Sequence, residues 1–162
     1  MLNLKAEYYI KIILLFSFVA LISAYFIEYV LGYQPCNLCL IERIPYGLSI
    51  MIIMAIFLIR KNQKFLVMLL ILTFIFSFAI SFYHFGIEQG FFQESSVCGV
   101  KSLTGIITKE DLLKQLSEKT ISCKDVTFRI FGLSLTSINI IISLLITIMS
   151  IKIYTKYEKN NS

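Results

Sequence analysis

Cys36 and Cys39 stand two residues apart in the stretch QPCNLCLIERIPYG (34–47), ahead of a charged pair, Glu42 and Arg43, and an apolar run. Two thiols at that spacing exchange disulfides, hold a metal or staple the chain. Closing so short a loop removes little chain entropy, so a staple gains little there. A structural zinc site takes four ligands, usually from two closely spaced pairs. The remaining cysteines, Cys98 and Cys123, lie too far apart in sequence to form a second such pair, and no metal is expected. Redox chemistry is the favoured reading, because two features beside Cys39 would stabilise a thiolate. One is the positive end of the helix that follows; the other is Arg43, four positions on. Taken alone, Arg43 reads more simply as a cation snorkelling at the end of a span, paired with Glu42. Pro45 is comfortable only in a first helical turn and would kink a helix that began as early as Cys39.

For Cys98 and Cys123 a structural bridge is credible, since closing a loop of about 26 residues stabilises by roughly 3–4 kcal/mol on the chain-entropy account. Four cysteines allow three pairings. Spacing makes Cys36 with Cys39, and Cys98 with Cys123, the simplest of them.

The elements that must position these thiols are membrane spans. Hydrophobic residues make up 57% of the 162 and charged residues only 15%, against the roughly 25% usual for soluble chains. Four apolar runs approach or reach the length of about 20 residues that crosses a bilayer: about 12–31, 44–59, 65–85 and 130–151. All are read as helices, because open strand edges cannot be satisfied in lipid. The expected fold is an all-α, integral membrane four-helix bundle, one domain over 1–162, with outer loops at about 32–43 and 86–129. The first run, with its basic start and small residues near Ser23 and Ala24, has some features of a secretory signal. It lacks a clean cleavage site and is read as a span.

Charge sets the orientation. Lys5, Lys11, Arg60, Lys61, Lys64, Lys152, Lys156 and Lys159 fall in the two tails and the middle loop with only Glu7 and Glu158. On the other side, Arg43, Lys101, Lys109, Lys114, Lys119, Lys124 and Arg129 are balanced by Glu28, Glu42, Glu88, Glu94, Glu110, Asp111, Glu118 and Asp125. Both termini are therefore expected in the cytoplasm. All four cysteines then face the compartment where disulfides persist. The basic excess reads as orientation rather than as a nucleic-acid surface, which would interleave base-stacking aromatics.

Within the second loop, TKEDLLKQLSE (108–118) reads as a short amphipathic helix, with Thr108 and Asp111 at capping-box spacing and Leu112, Leu113 and Leu116 as its stripe. It would lie on the membrane surface or dock on the bundle. Tyr33, Tyr46, Tyr83, Phe91 and Phe92 read as an interfacial aromatic belt. Asn139 and the hydroxyls near it read as interhelical hydrogen-bonders.

Taken together, PCNLCLIERIPY (35–46), YHFGIEQGFF (83–92), Cys98 and CKDVTFRIFGLS (123–134) resemble the disulfide bond formation protein B (DsbB) family of bacterial inner membranes. The resemblance covers about residues 34–139. It implies a quinone reductase that reoxidises a soluble DsbA-like thiol oxidase of the periplasm. By that resemblance Cys36 and Cys39 hand electrons to quinone, Arg43 and His84 lie at the quinone head group, and Cys98 and Cys123 exchange with the partner, Cys98 carrying the mixed disulfide. The chain departs from many relatives at Ile41 and Glu42, where an aromatic and a glutamine are common, and at Phe128, where they carry tryptophan. The resemblance gives no role for Glu42. Two alternatives stand beside it: a membrane subunit with two structural disulfides, and an enzyme like vitamin K epoxide reductase. The latter is disfavoured because its quinone-facing C-x-x-C sits in a late span.

Overall fold

The structure, a computed structural model, describes residues 4–59, 62–93, 98, 122–124, 129–130 and 132–159. Four long helices are present among them: α1 (Leu4–Tyr29), α2 (Asn37–Leu58), α3 (Gln63–Glu88) and α4 (Leu135–Lys159). All four are long and apolar enough to cross a membrane. They pack in a ring, α1 on α2, α2 on α3, α3 on α4 and α4 back on α1. The chain is a multi-pass membrane protein with an all-α four-helix bundle. The expected amphipathic helix at 108–118 lies outside the described residues.

Helix starts differ from the apolar runs, and each has a local cause. α1 begins at Leu4 rather than near Ile12, its first turns carrying a Glu7–Lys11 ion pair one turn apart at 2.8 Å. α2 begins at Asn37 rather than near Ile44, because Cys36 caps it: extended at φ −72° and ψ 166°, it accepts the Cys39 backbone N–H on its sulfur. Pro45 therefore sits inside α2, buried, with no N–H to offer the Ile41 carbonyl. Packing by neighbouring helices makes such a proline tolerable in a span. The fourth run is split. Arg129–Ile130 (β1) and Leu133–Ser134 (β2) form a two-residue antiparallel ladder, turned at Gly132 with φ 82°, a conformation open to glycine. Ser134 then caps α4, its Oγ accepting the Ser137 N–H at 3.2 Å.

The core toward the α2–α3 connection is aliphatic, with Ile10 and Ile13 of α1, Ile53 and Ile56 of α2, Val67 and Leu70 of α3 and Ile153 of α4 buried together. Midway along the bundle, small hydroxyl residues bring helices close: Ser49 donates to Ser17 at 2.8 Å, and Ser77 pairs with Ser143 at 3.0 Å.

Candidate functional site

Polar and redox-active groups gather at the opposite end of the bundle, where α2 starts and α3 stops. Capping puts the Cys36 sulfur 3.2 Å from the Cys39 N–H, at the positive end of α2. Cys36 and Cys39 are free thiols, whereas Cys98 and Cys123 are joined in a disulfide with Cα atoms 5.3 Å apart. The loop pairing suggested by spacing is present, and the membrane pair stands as the dithiol. Cys36, Cys98 and Cys123 are buried in one cluster with Leu38 and Ile87, and Cys39, Ile41, Ile80 and Tyr83 pack against it. Residues distant in sequence, from the α1–α2 loop, α2, α3 and the second loop, thus bring all four cysteines into one apolar patch.

His84 of α3 reaches into this patch. Its Nε2 lies 3.6 Å from Cys36 Sγ, and its Nδ1 lies 2.9 Å from Glu42 Oε1. A carboxylate only accepts, so Nδ1 carries a proton and Nε2 is turned on the sulfur. Thr136 Oγ1 lies 3.3 Å from the same Nδ1 and donates to Glu88 Oε1 at 2.6 Å. Asn139 Nδ2 of α4 donates to the second Glu42 oxygen at 2.9 Å and to Ser81 Oγ at 2.8 Å, while Tyr46 donates its hydroxyl to Asn139 Oδ1. Three helices thus meet through Glu42, the residue the resemblance left without a role. An acid buried in a span is costly unless paired, which is itself a signal of function that the sequence offered.

Cys36 lies just before the span, and its thiol is lowered to about 5. The hydrogen bond from the Cys39 thiol contributes most, followed by the hydrogen bond and charge of His84 and the Cys39 N–H, against burial, which raises it. The sequence placed the stabilised thiolate at Cys39 with Arg43 beside it. In the fold Arg43 instead turns to α1, pairing with Glu28 and lying 5.2 Å over the Tyr25 ring. The imidazole, not the guanidinium, is the base that touches the dithiol.

Asn139 bonds across helices as expected. Thr136, one of the hydroxyls near it, does the same toward His84 and Glu88. Glu88 was read in sequence only as a charge; it sits one turn after His84, a spacing that could have drawn attention to it. Tyr46 departs from the expected aromatic belt. It is buried, packs edge-on against Phe74 at 5.8 Å and hydrogen-bonds inward. Tyr83 stacks on Phe92 at 5.7 Å, above Gly86, whose missing side chain leaves room for that ring.

The sequence matches the family model of disulfide bond formation protein DsbB over residues 7–153. It is also similar to an uncharacterized protein of Rickettsia prowazekii (strain Madrid E), 32% identical over 154 residues that span 91% of this chain and 88% of the relative. No solved structure matches it.

Proposed function

The chain belongs to the DsbB family of disulfide bond formation proteins, and on that premise we propose that it is a membrane protein-dithiol:quinone oxidoreductase that reoxidises a soluble DsbA-like thiol oxidase. The observation that carries this reading is the convergence of both cysteine pairs in one buried cluster, one pair oxidised and the other reduced.

The chemistry is a chain of thiol–disulfide exchanges. A partner thiolate attacks the Cys98–Cys123 disulfide, with Cys98 forming the mixed disulfide, and the partner leaves oxidised. The loop dithiol is then reoxidised by a Cys36–Cys39 disulfide, which leaves the membrane pair as the dithiol seen in the structure. Cys98 and Cys123 are each only 2% exposed, so a partner reaches them once they part from Cys36 and Ile87. Oxidising the membrane dithiol releases two electrons and two protons. Cys36 is the sulfur held as thiolate, and His84 Nε2, steadied through Nδ1 by Glu42, is placed to hold and release its proton.

Quinone, when bound, supplies a two-electron, two-proton acceptor. Arg43 fits the role of holding it. The guanidinium has five N–H donors, stands one helical turn after Cys39 on the α1–α2 seam and keeps donors beyond those aimed at Glu28. His84, which the resemblance also puts at the quinone, turns its Nε2 on Cys36.

The family resemblance and the charge balance support a bacterial inner-membrane location with both termini cytoplasmic and the cysteines periplasmic. Purified protein given a reduced thiol oxidase and oxidised quinone is expected to bleach quinone absorbance catalytically. Folded protein that turns over no quinone would reject the proposal.

A further inference from the structure

The reduced membrane pair has a geometry that disulfide exchange does not require. Cys36 Sγ, Cys39 Sγ and His84 Nε2 all lie within 4.8 Å of one another. Around a tetrahedral zinc ion with Zn–S of about 2.3 Å and Zn–N of about 2.0–2.1 Å, a sulfur and a nitrogen stand roughly 3.6 Å apart. Cys36 Sγ and His84 Nε2 are 3.6 Å apart.

The surroundings of the imidazole point the same way. A metal-ligating histidine typically donates its other ring N–H to a carboxylate, which fixes the tautomer and raises the basicity of the ligating nitrogen. Glu42 does this at Nδ1, at 2.9 Å, and is itself oriented by Asn139. Beside Nε2, at 3.9 Å, lies Glu88 Oε1, and the other oxygen of that carboxyl, Oε2, is buried without a hydrogen-bond partner. A carboxyl with one oxygen lacking a donor therefore stands beside the imidazole of the three ligands.

We infer that the reduced Cys36/Cys39 pair and His84 form a binding site for a thiophilic d10 cation such as Zn2+ or Cd2+, with a fourth position open to water or to Glu88. Binding displaces the Cys39 thiol proton and the proton that His84 Nε2 holds for Cys36 and releases both, leaving oxidation states unchanged. Forming the Cys36–Cys39 disulfide removes two of the three ligands, so metal and electron transfer exclude one another. That last consequence rests on the proposed relay; the binding itself does not. The cysteine spacing alone hid this site, because the third ligand comes from another helix rather than from a second cysteine pair.

The test uses full-length protein in detergent with Cys98→Ser and Cys123→Ser, so that only the membrane pair can bind, reduced and titrated with Cd2+. One Cd2+ per chain, seen by thiolate-to-metal absorbance, is expected. Oxidising the pair beforehand should abolish it. His84→Ala should weaken binding at least tenfold, and Glu42→Gln by about 10- to 100-fold, as loss of an outer-shell partner does elsewhere. If His84→Ala does not fold, Glu42→Gln carries the test. Affinity unchanged in the folded variants, or no binding to the reduced protein, overturns the inference. Quinone turnover measured separately in chelator tests the relay, so failure of one is not failure of the other.

Discussion

Toward the α2–α3 connection the helices meet through Ile10, Ile13, Ile53, Ile56 and Leu70; at the other end they meet through Glu42, His84, Thr136 and Asn139. In lipid the first end gains mainly dispersion contacts, since hydrocarbon tails are as apolar as isoleucine. The second end buries a carboxylate and an imidazole, which lipid penalises. Nearly every polar atom there is paired, and Glu88 Oε2 is the exception among the described residues of that end. One end therefore holds the bundle together. The other spends stability on a fixed arrangement of sulfur, nitrogen and oxygen.

Breaking the chemical end should have the largest effect. Cys36→Ser or Cys39→Ser is expected to abolish quinone turnover, and in Cys36→Ser, which lacks the thiol beside the loop pair, the Cys98–Cys123 disulfide survives, as read by quinone absorbance and thiol labelling. Variants that keep even a tenth of the turnover would contradict the division of labour.

Acidity sharpens the same contrast. In chelator-treated, reduced protein, alkylation of Cys36 should stay fast as pH falls and drop only through about 5, because the folded state holds its pKa below that of an ordinary thiol near 8.5. Reactivity is thus retained between those two pH values and lost below the lower one. A midpoint near the ordinary value would mean that neither the Cys39 thiol nor His84 acts on the sulfur.

Smaller changes should separate the ends further. Glu42→Gln is expected to cut turnover about 100-fold while leaving the fold intact, consistent with loss of the partner that steadies a proton-holding histidine. Ile53→Ala should do the opposite. It is expected to cost about 2 kcal/mol in detergent unfolding, the low end for such a truncation because the unfolded chain stays in an apolar phase, with turnover per folded molecule unchanged. Ser77→Ala, which removes the bond to Ser143, should cost only about 0.6 kcal/mol.

The two ends also differ in how far sequence discloses them. Four spans follow from hydropathy, because the bilayer imposes one length on every helix. Where the helices start does not, since a sulfur cap at Cys36, a buried Pro45 and a turn at Gly132 act locally against the apolar pattern. The cysteines were legible from spacing and Arg43 from its place after Cys39. The partners were not: Arg43 belongs to Glu28, and Glu42 to His84 and Asn139, through contacts that only the packing of α1, α3 and α4 against α2 creates.

The central claim is that electrons pass between the loop pair and the membrane pair, and trapping that exchange tests it most directly. In a Cys39→Ser variant, Cys36 has no local partner and lies in the same cluster as the Cys98–Cys123 disulfide. The account predicts that mass spectrometry of the purified, non-reduced variant finds Cys36 joined to Cys98 or Cys123, with the other loop cysteine free. A folded variant in which Cys36 stays a free thiol and the loop disulfide stays closed would contradict it.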